Sequence, residues 1–207
     1  MTGRLICLEG GEGAGKSTAL VEIKAWLEQR GRKTLTTREP GGTAVAERIR
    51  ALLLDPDTGE IDPLTELLLM FAARRENVVD VIKPKLREDV DVICDRFTDA
   101  SYAYQGAGRG LGRGPINALA ELVHPGLQPD LVLVLDIPVE IGLARIRDRA
   151  GGPDRFEGSR LEFLQRVRAC YLERAAAAPE RFAVIDARQS PQAVMQVIRQ
   201  QLELRLT

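Results

Sequence analysis

Apolar residues fall in short unbroken runs separated by longer stretches in which apolar and polar positions alternate at helical spacing. Leu131-Val132-Leu133-Val134-Leu135 is apolar at every position, as expected of a strand buried on both faces. Similar runs predict strands at 5–9, 34–37, 90–95, 131–137 and 182–186. Helices are predicted at 15–30, 43–54, 63–88, 139–149, 160–178 and 191–206. Strands that alternate with helices imply a parallel sheet with helices on both faces, an α/β fold. Ligands of such a sheet bind at the carboxyl ends of its strands. Two glycine-rich stretches, 105–114 and 149–155, both carry arginines and are expected to be mobile loops.

A length of 207 residues suits one domain, 1–207, with room for a substantial core. The formal net charge of −1 argues against bulk nucleic-acid binding, which needs a basic excess. Cys7, Cys94 and Cys170 are scattered, with no CxxC pair, so a disulfide framework or zinc site is not expected. A reducing, cytoplasmic setting is the simple expectation. No secretory signal is read at Met1-Thr2-Gly3-Arg4, and no apolar run approaches a membrane span. His124, the single histidine, precedes Pro125-Gly126 at a predicted helix end and is read as structural.

The sharpest chemical signal is Gly10-Gly11-Glu12-Gly13-Ala14-Gly15-Lys16-Ser17, which fits the phosphate-binding P-loop G-x-x-x-x-G-K-[ST]. It follows a predicted strand and opens a predicted helix, the context in which the pattern has a mechanism. The glycines let successive N–H groups turn inward to cradle an anion, and the helix start adds its positive end. Lys16 supplies a point charge for the β- and γ-phosphates of ATP, and the Ser17 hydroxyl can hold Mg²⁺.

A P-loop alone does not separate motors, switches and kinases. The other strand ends narrow the field. Val92-Ile93-Cys94-Asp95 is an apolar strand ending in an acid suited to supporting Mg²⁺, and Arg96 follows directly. Arg38, in Thr37-Arg38-Glu39-Pro40-Gly41-Gly42-Thr43, would project over the same edge. Two guanidinium forks there suit a phosphate monoester separate from the ATP phosphates. Phe71 and Arg74 are three apart on one helix face, a pairing that can stack on and hydrogen-bond a planar base. Ser101, Tyr104 and Gln105 add hydroxyls and an amide downstream.

These residues together resemble the thymidylate kinase family in its bacterial form. The likeness spans nearly the whole chain. It rests on the P-loop with Glu9 and Thr18 at its flanks, on 37–43, on Met70-Phe71-Ala72-Ala73-Arg74 and on Asp95-Arg96-Phe97. It continues through Ala103-Tyr104-Gln105-Gly106, Gly108-Arg109-Gly110, Pro129-Asp130-Leu131 and Asp154-Arg155-Phe156-Glu157. The resemblance implies a P-loop NTPase fold with a central five-stranded parallel sheet, and phosphoryl transfer from ATP to dTMP on the way to dTTP. It implies that residues 10–18 bind ATP, namely Gly10, Gly11, Glu12, Gly13, Ala14, Gly15, Lys16, Ser17 and Thr18. Ser17 and Asp95 would hold Mg²⁺, and Arg38 and Arg96 would clamp the dTMP phosphate. Phe71 would stack on thymine and Arg74 would bond a thymine carbonyl. Ser101 and Gln105 would contact the base, Tyr104 would crowd the sugar 2′ position, and Glu12 would reach the 3′-hydroxyl.

The P-loop carries no arginine of its own, so the resemblance assigns transition-state charge to a mobile lid at 147–158 that offers Arg147, Arg149 and Arg155. Arg149 and Arg155 join Lys16 and Arg96 as the expected catalytic set. It also implies a homodimer. The chain departs from the family pattern at Ala107, Ser101 and the glycine-rich lid tip Gly151-Gly152-Pro153. The nearest rival is a small kinase acting on another nucleotide or a deoxynucleoside. A nucleotide-dependent switch is the rival from another class, and it would need no base pocket.

Overall fold

The computed structural model describes residues 3–150 and 157–206, with 148–150 and 157–159 described by backbone alone. Five parallel strands form one sheet in the order β2-β3-β1-β4-β5. They are β1 (Leu5–Gly10), β2 (Lys33–Arg38), β3 (Val90–Asp95), β4 (Leu131–Asp136) and β5 (Phe182–Asp186). This is the α/β architecture expected from the strand and helix rhythm.

The central strands are mostly apolar because both faces are covered, and their side chains divide by alternation. Ile6 and Leu8 of β1, with Leu131, Leu133 and Leu135 of β4, enter one core with α1 (Lys16–Glu28) and α9 (Pro191–Leu206). Leu5 and Cys7, with Val132 and Val134, enter a second core with Tyr171 of α8 (Glu157–Ala177). Each such side chain stabilises the fold by roughly 1.5–3 kcal/mol.

Local chemistry sets the helix starts. The Thr43 hydroxyl accepts from the Ala46 N–H at 3.1 Å and caps α2 (Ala44–Leu54). Asp62 caps α3 (Pro63–Asn77), accepting from the N–H groups of Leu64 and Thr65, with Pro63 at the first helical position. The single helix expected over 63–88 is α3, a π-helical turn at Val78–Ile82 and α4 (Lys83–Arg87). Among the described residues no helix is long and apolar enough to cross a membrane.

The stretch 105–114, expected as a mobile loop, is helical at 105–108 and at 114 and irregular between. A short helix α5 (Thr98–Ser101) runs into a π-helical segment, Tyr102–Gly108, and Gly114 opens α6 (Gly114–Val123). The physical reason is packing. A Cβ at Gly108 would sit 2.5 Å from the Phe163 ring of α8, so glycine is there to let two helices approach. α7 (Val139–Ala150) carries the chain away from β4.

Candidate active site

The P-loop links β1 to α1 at the carboxyl edge of the sheet, beside the ends of β3 and β4. Gly13 has φ 71°, and a Cβ there would collide with the Gly142 carbonyl of α7, so loop and helix meet backbone to backbone. Lys16 opens α1 and folds back, its Nζ donating to the carbonyls of Gly10 at 3.2 Å and Gly11 at 3.0 Å. Burial, then the nearby Arg96 charge, lower its pKa to about 8. Ser17 and Thr18 follow on the exposed side of α1.

Two clefts flank this loop. The first, of about 440 Å³, is lined by Gly13, Ala14, Gly15, Thr18, Arg145, Ala187 and Met195 among others. The Arg145 guanidinium reaches the Gly13 carbonyl at 3.4 Å. The second, also about 440 Å³, lies toward β2 and β3 and includes Glu12, Glu39, Pro40, Arg50, Met70, Arg96, Tyr104, Gln105 and Arg109 in its wall. Glu12 therefore stands between the P-loop and the second cleft, where the Arg160 guanidinium of α8 pairs with it at 2.8 Å.

Arg96 is one of three arginines lining the second cleft, with Arg50 and Arg109, and it follows the end of β3 with φ 70°, a left-handed conformation uncommon outside glycine. Its backbone N–H donates to Leu8 O at 2.9 Å. Nη2 donates to the Tyr104 hydroxyl at 2.9 Å, and the guanidinium lies 4.6 Å from the centre of that ring. Arg38 lies in β2 opposite Asp95, but its guanidinium turns to Glu47 of α2 at 2.9 Å and is not among the residues lining the cleft. The hydrogen bond and charge of Glu47 raise the Arg38 pKa.

Of the expected base-recognition residues, Gln105 lines this cleft with Tyr104, whereas Phe71, Arg74 and Ser101 are buried and do not line it; Arg74 connects to it through Glu39. Phe71 is buried, its ring nearly parallel to His124 with centroids 6.3 Å apart. The Arg74 guanidinium sits 4.3 Å from the Phe71 centroid, bonded to Glu39 at 2.6 Å and to the Ser101 hydroxyl and Phe97 carbonyl at 3.1 Å. Three buried polar atoms here have no protein partner, Arg74 Nη1, Gln105 Oε1 and His124 Nδ1. Gln105 spends its amide on Glu66, which also pairs with Arg109. His124, read from the sequence as structural, is buried here. Its Nε2 lies 2.9 Å from the Thr98 hydroxyl, and burial with the Arg74 charge lowers its pKa to about 4.

Asp95 ends β3 with Oδ1 buried and unpartnered. A free carboxylate oxygen beside the P-loop is the donor that a hard divalent cation needs, and Ser17 supplies a hydroxyl at the start of α1. Among the described residues no group of three or more His, Cys, Asp and Glu side chains gathers into a closed metal site. Arg155 lies outside the described residues, and so does the side chain of Arg149.

Sequence reading missed Glu9, Glu39, Arg50, Glu66, Arg145, Arg160 and Tyr171. For Glu9 a signal existed, since it is a carboxylate within an otherwise apolar strand. Burial, then Asp99, raise its pKa to about 7.

Fold and site together define a P-loop nucleotide kinase, with a phosphate-binding loop set between two clefts. The sequence profile described as thymidylate kinase matches residues 8–198. The chain is 54% identical to a thymidylate kinase of Chromohalobacter salexigens over 99% of this chain and 97% of that one. It is 52% identical to one of Pseudomonas putida over 96% and 94% of the two chains. It is 51% identical to one of Neisseria gonorrhoeae over 92% and 91%. The chain belongs to the thymidylate kinase family, and it is an ATP-dependent phosphotransferase that converts dTMP to dTDP.

Proposed function

We propose that ATP occupies the cleft beside Arg145 and Ala187 with its phosphates in the P-loop. dTMP then occupies the cleft beneath Arg96. The observation that carries this is the position of Glu12, which belongs to the phosphate-binding loop and also lines the second cleft. Two substrates so placed meet at one point.

The dTMP phosphate oxygen attacks the γ-phosphorus of ATP in line, and ADP leaves. Little covalent work falls to the protein, so positioning and charge dominate. Lys16, released from the Gly10 and Gly11 carbonyls, turns to the β- and γ-phosphates. Arg96 holds the attacking phosphate and screens its charge, with Arg38 joining once it leaves Glu47. Ser17 and Asp95 would hold Mg²⁺, which would supply neutralisation of phosphate charge. Arg149 and Arg155 cover the equatorial oxygens, a service worth on the order of 10³–10⁵ in rate where arginines supply it.

On the base side, Arg74 Nη1 and Gln105 Oε1 are the unpartnered polar atoms that face recognition of a pyrimidine. Phe71 underlies the base, and Ser101 fixes Arg74. Glu12 reaches the 3′-hydroxyl and Tyr104 crowds the 2′ position.

A second copy of the chain pairs on the α3 face, where Leu64 and Leu68, one turn apart, are exposed while Leu67 and Phe71 are buried. The setting is cytoplasmic, in keeping with three free buried cysteines. The test of the whole reading is ADP release with ATP, Mg²⁺ and each nucleoside monophosphate in turn. Turnover should favour dTMP, then dUMP. Equal turnover of dGMP would overturn the pocket assignment.

A further inference from the structure

Glu9 is fully buried in β1, one residue before the P-loop begins. Both its oxygens are used. Oε1 accepts from the Phe97 N–H at 2.8 Å, and Oε2 accepts from the Tyr171 hydroxyl at 2.7 Å. Tyr171 comes from α8, is itself fully buried, and accepts in turn from Arg96 Nη1 at 3.3 Å. The chain of bonds runs from the core to the one guanidinium that projects from β3 into the second cleft.

A buried carboxylate is a costly way to fill space, because an apolar residue of similar volume stabilises a core at least as well. What Glu9 and Tyr171 provide is direction. Among the described residues no carboxylate lies within ion-pair distance of Arg96. Its guanidinium is gripped instead by two phenolic hydroxyls, Tyr171 on Nη1 and Tyr104 on Nη2. A carboxylate placed directly on Arg96 would compete with an incoming phosphate for the same fork. A hydroxyl between them fixes the orientation and leaves the charge available, since Tyr171 is neutral and Glu9 stands one bond further off.

We propose that Glu9 and Tyr171 are positioning residues for the acceptor phosphate: Glu9 fixes the Tyr171 hydroxyl, and that hydroxyl aims the Arg96 guanidinium. The inference rests on the reading that Arg96 holds the dTMP phosphate.

Tyr171→Phe removes one oxygen and keeps the ring. The expected result is a dTMP KM raised about tenfold, the loss of one hydrogen bond to a charged group, with the ATP KM unchanged. Competitive inhibition by thymidine, which lacks the phosphate, should also be unchanged, whereas a merely structural defect would weaken thymidine and dTMP together. Glu9→Gln, which keeps the shape of the side chain and puts an amide in place of the carboxyl group that accepts from Tyr171, should shift the dTMP KM in the same direction. Thermal melting of both variants separates a folding defect from an aiming defect. An unaltered dTMP KM in well-folded Tyr171→Phe and Glu9→Gln overturns the inference, as does a thymidine Ki that rises in step with it. Arg96→Met is the control on the underlying reading. If it leaves the dTMP KM unchanged, that reading fails and takes the inference with it. If it raises the KM while Tyr171→Phe does not, the relay alone is refuted.

Discussion

Arg74 and Glu39 form an ion pair with both side chains almost wholly out of solvent, their Nε and Oε2 atoms 2.6 Å apart. The pair ties α3 to the loop after β2 beneath the second cleft. Burial raises the Glu39 pKa and the Arg74 charge opposes that rise, so each partner depends on the other. Removing one partner strands the other charge in the core. Glu39→Ala should therefore cost about 3–5 kcal/mol in urea unfolding. A cost below about 1 kcal/mol, the range of surface pairs, would mean that water reaches the site.

Arg155 tests the assignment of the lid. Arg155→Ala is expected to lower kcat by about tenfold or more with little change in dTMP affinity, because its charge is used only while the phosphoryl group is in transit. Steady-state kinetics with both substrates varied would decide it. Normal kcat removes Arg155 from the mechanism.

Base choice has a physical ceiling. The thymine methyl is worth roughly 1–3 kcal/mol in an apolar pocket, so dUMP should lose about 10- to 200-fold in kcat/KM and remain a substrate. Purine monophosphates should fail outright, because Arg74 Nη1 and Gln105 Oε1 would be left unsatisfied. Competition assays at fixed ATP measure both.

His124 should mark the acid side of the stability curve. Its folded pKa, about 4, lies below the ordinary value because it is buried, with Arg74 and Lys83 opposing its charge. A depressed pKa gives stability that is whole above the unfolded value of about 6.5 and drains away as pH falls toward 4. The stability advantage of the native chain over His124→Asn should therefore narrow steadily between pH 6.5 and pH 4. Glu9 titrates in an overlapping range, but it is present in both proteins and cancels in the difference. A constant gap across that window would refute the buried neutral imidazole.

Much of the fold was legible because its signals are local. β4 reads as a doubly buried strand from five consecutive apolar residues, and the P-loop declares itself by glycine spacing. The stretch 102–108 was not legible, because glycine reads as flexibility, whereas Gly108 is a point of contact with Phe163. The candidate site divides in the same way. Arg96 follows from its place after a strand end. The Glu9 to Tyr171 bond joins residues 162 positions apart and is visible only in three dimensions. Arg38 was expected to face the same anion as Arg96, and its pairing with Glu47 depends on how α2 docks.

The order of the strands has a consequence for inheritance. Apart from Glu12 and Phe163, every residue lining the second cleft falls between Glu39 and Arg109. The first cleft draws on the P-loop side, Arg145 and the stretch from Ala187 to Met195. On the proposed placement of the two substrates, most of the acceptor's contacts are thus written in one portion of the gene and the donor's on either side of it. Recombination that exchanges the middle portion between relatives could change which nucleotide is phosphorylated and leave the use of ATP intact.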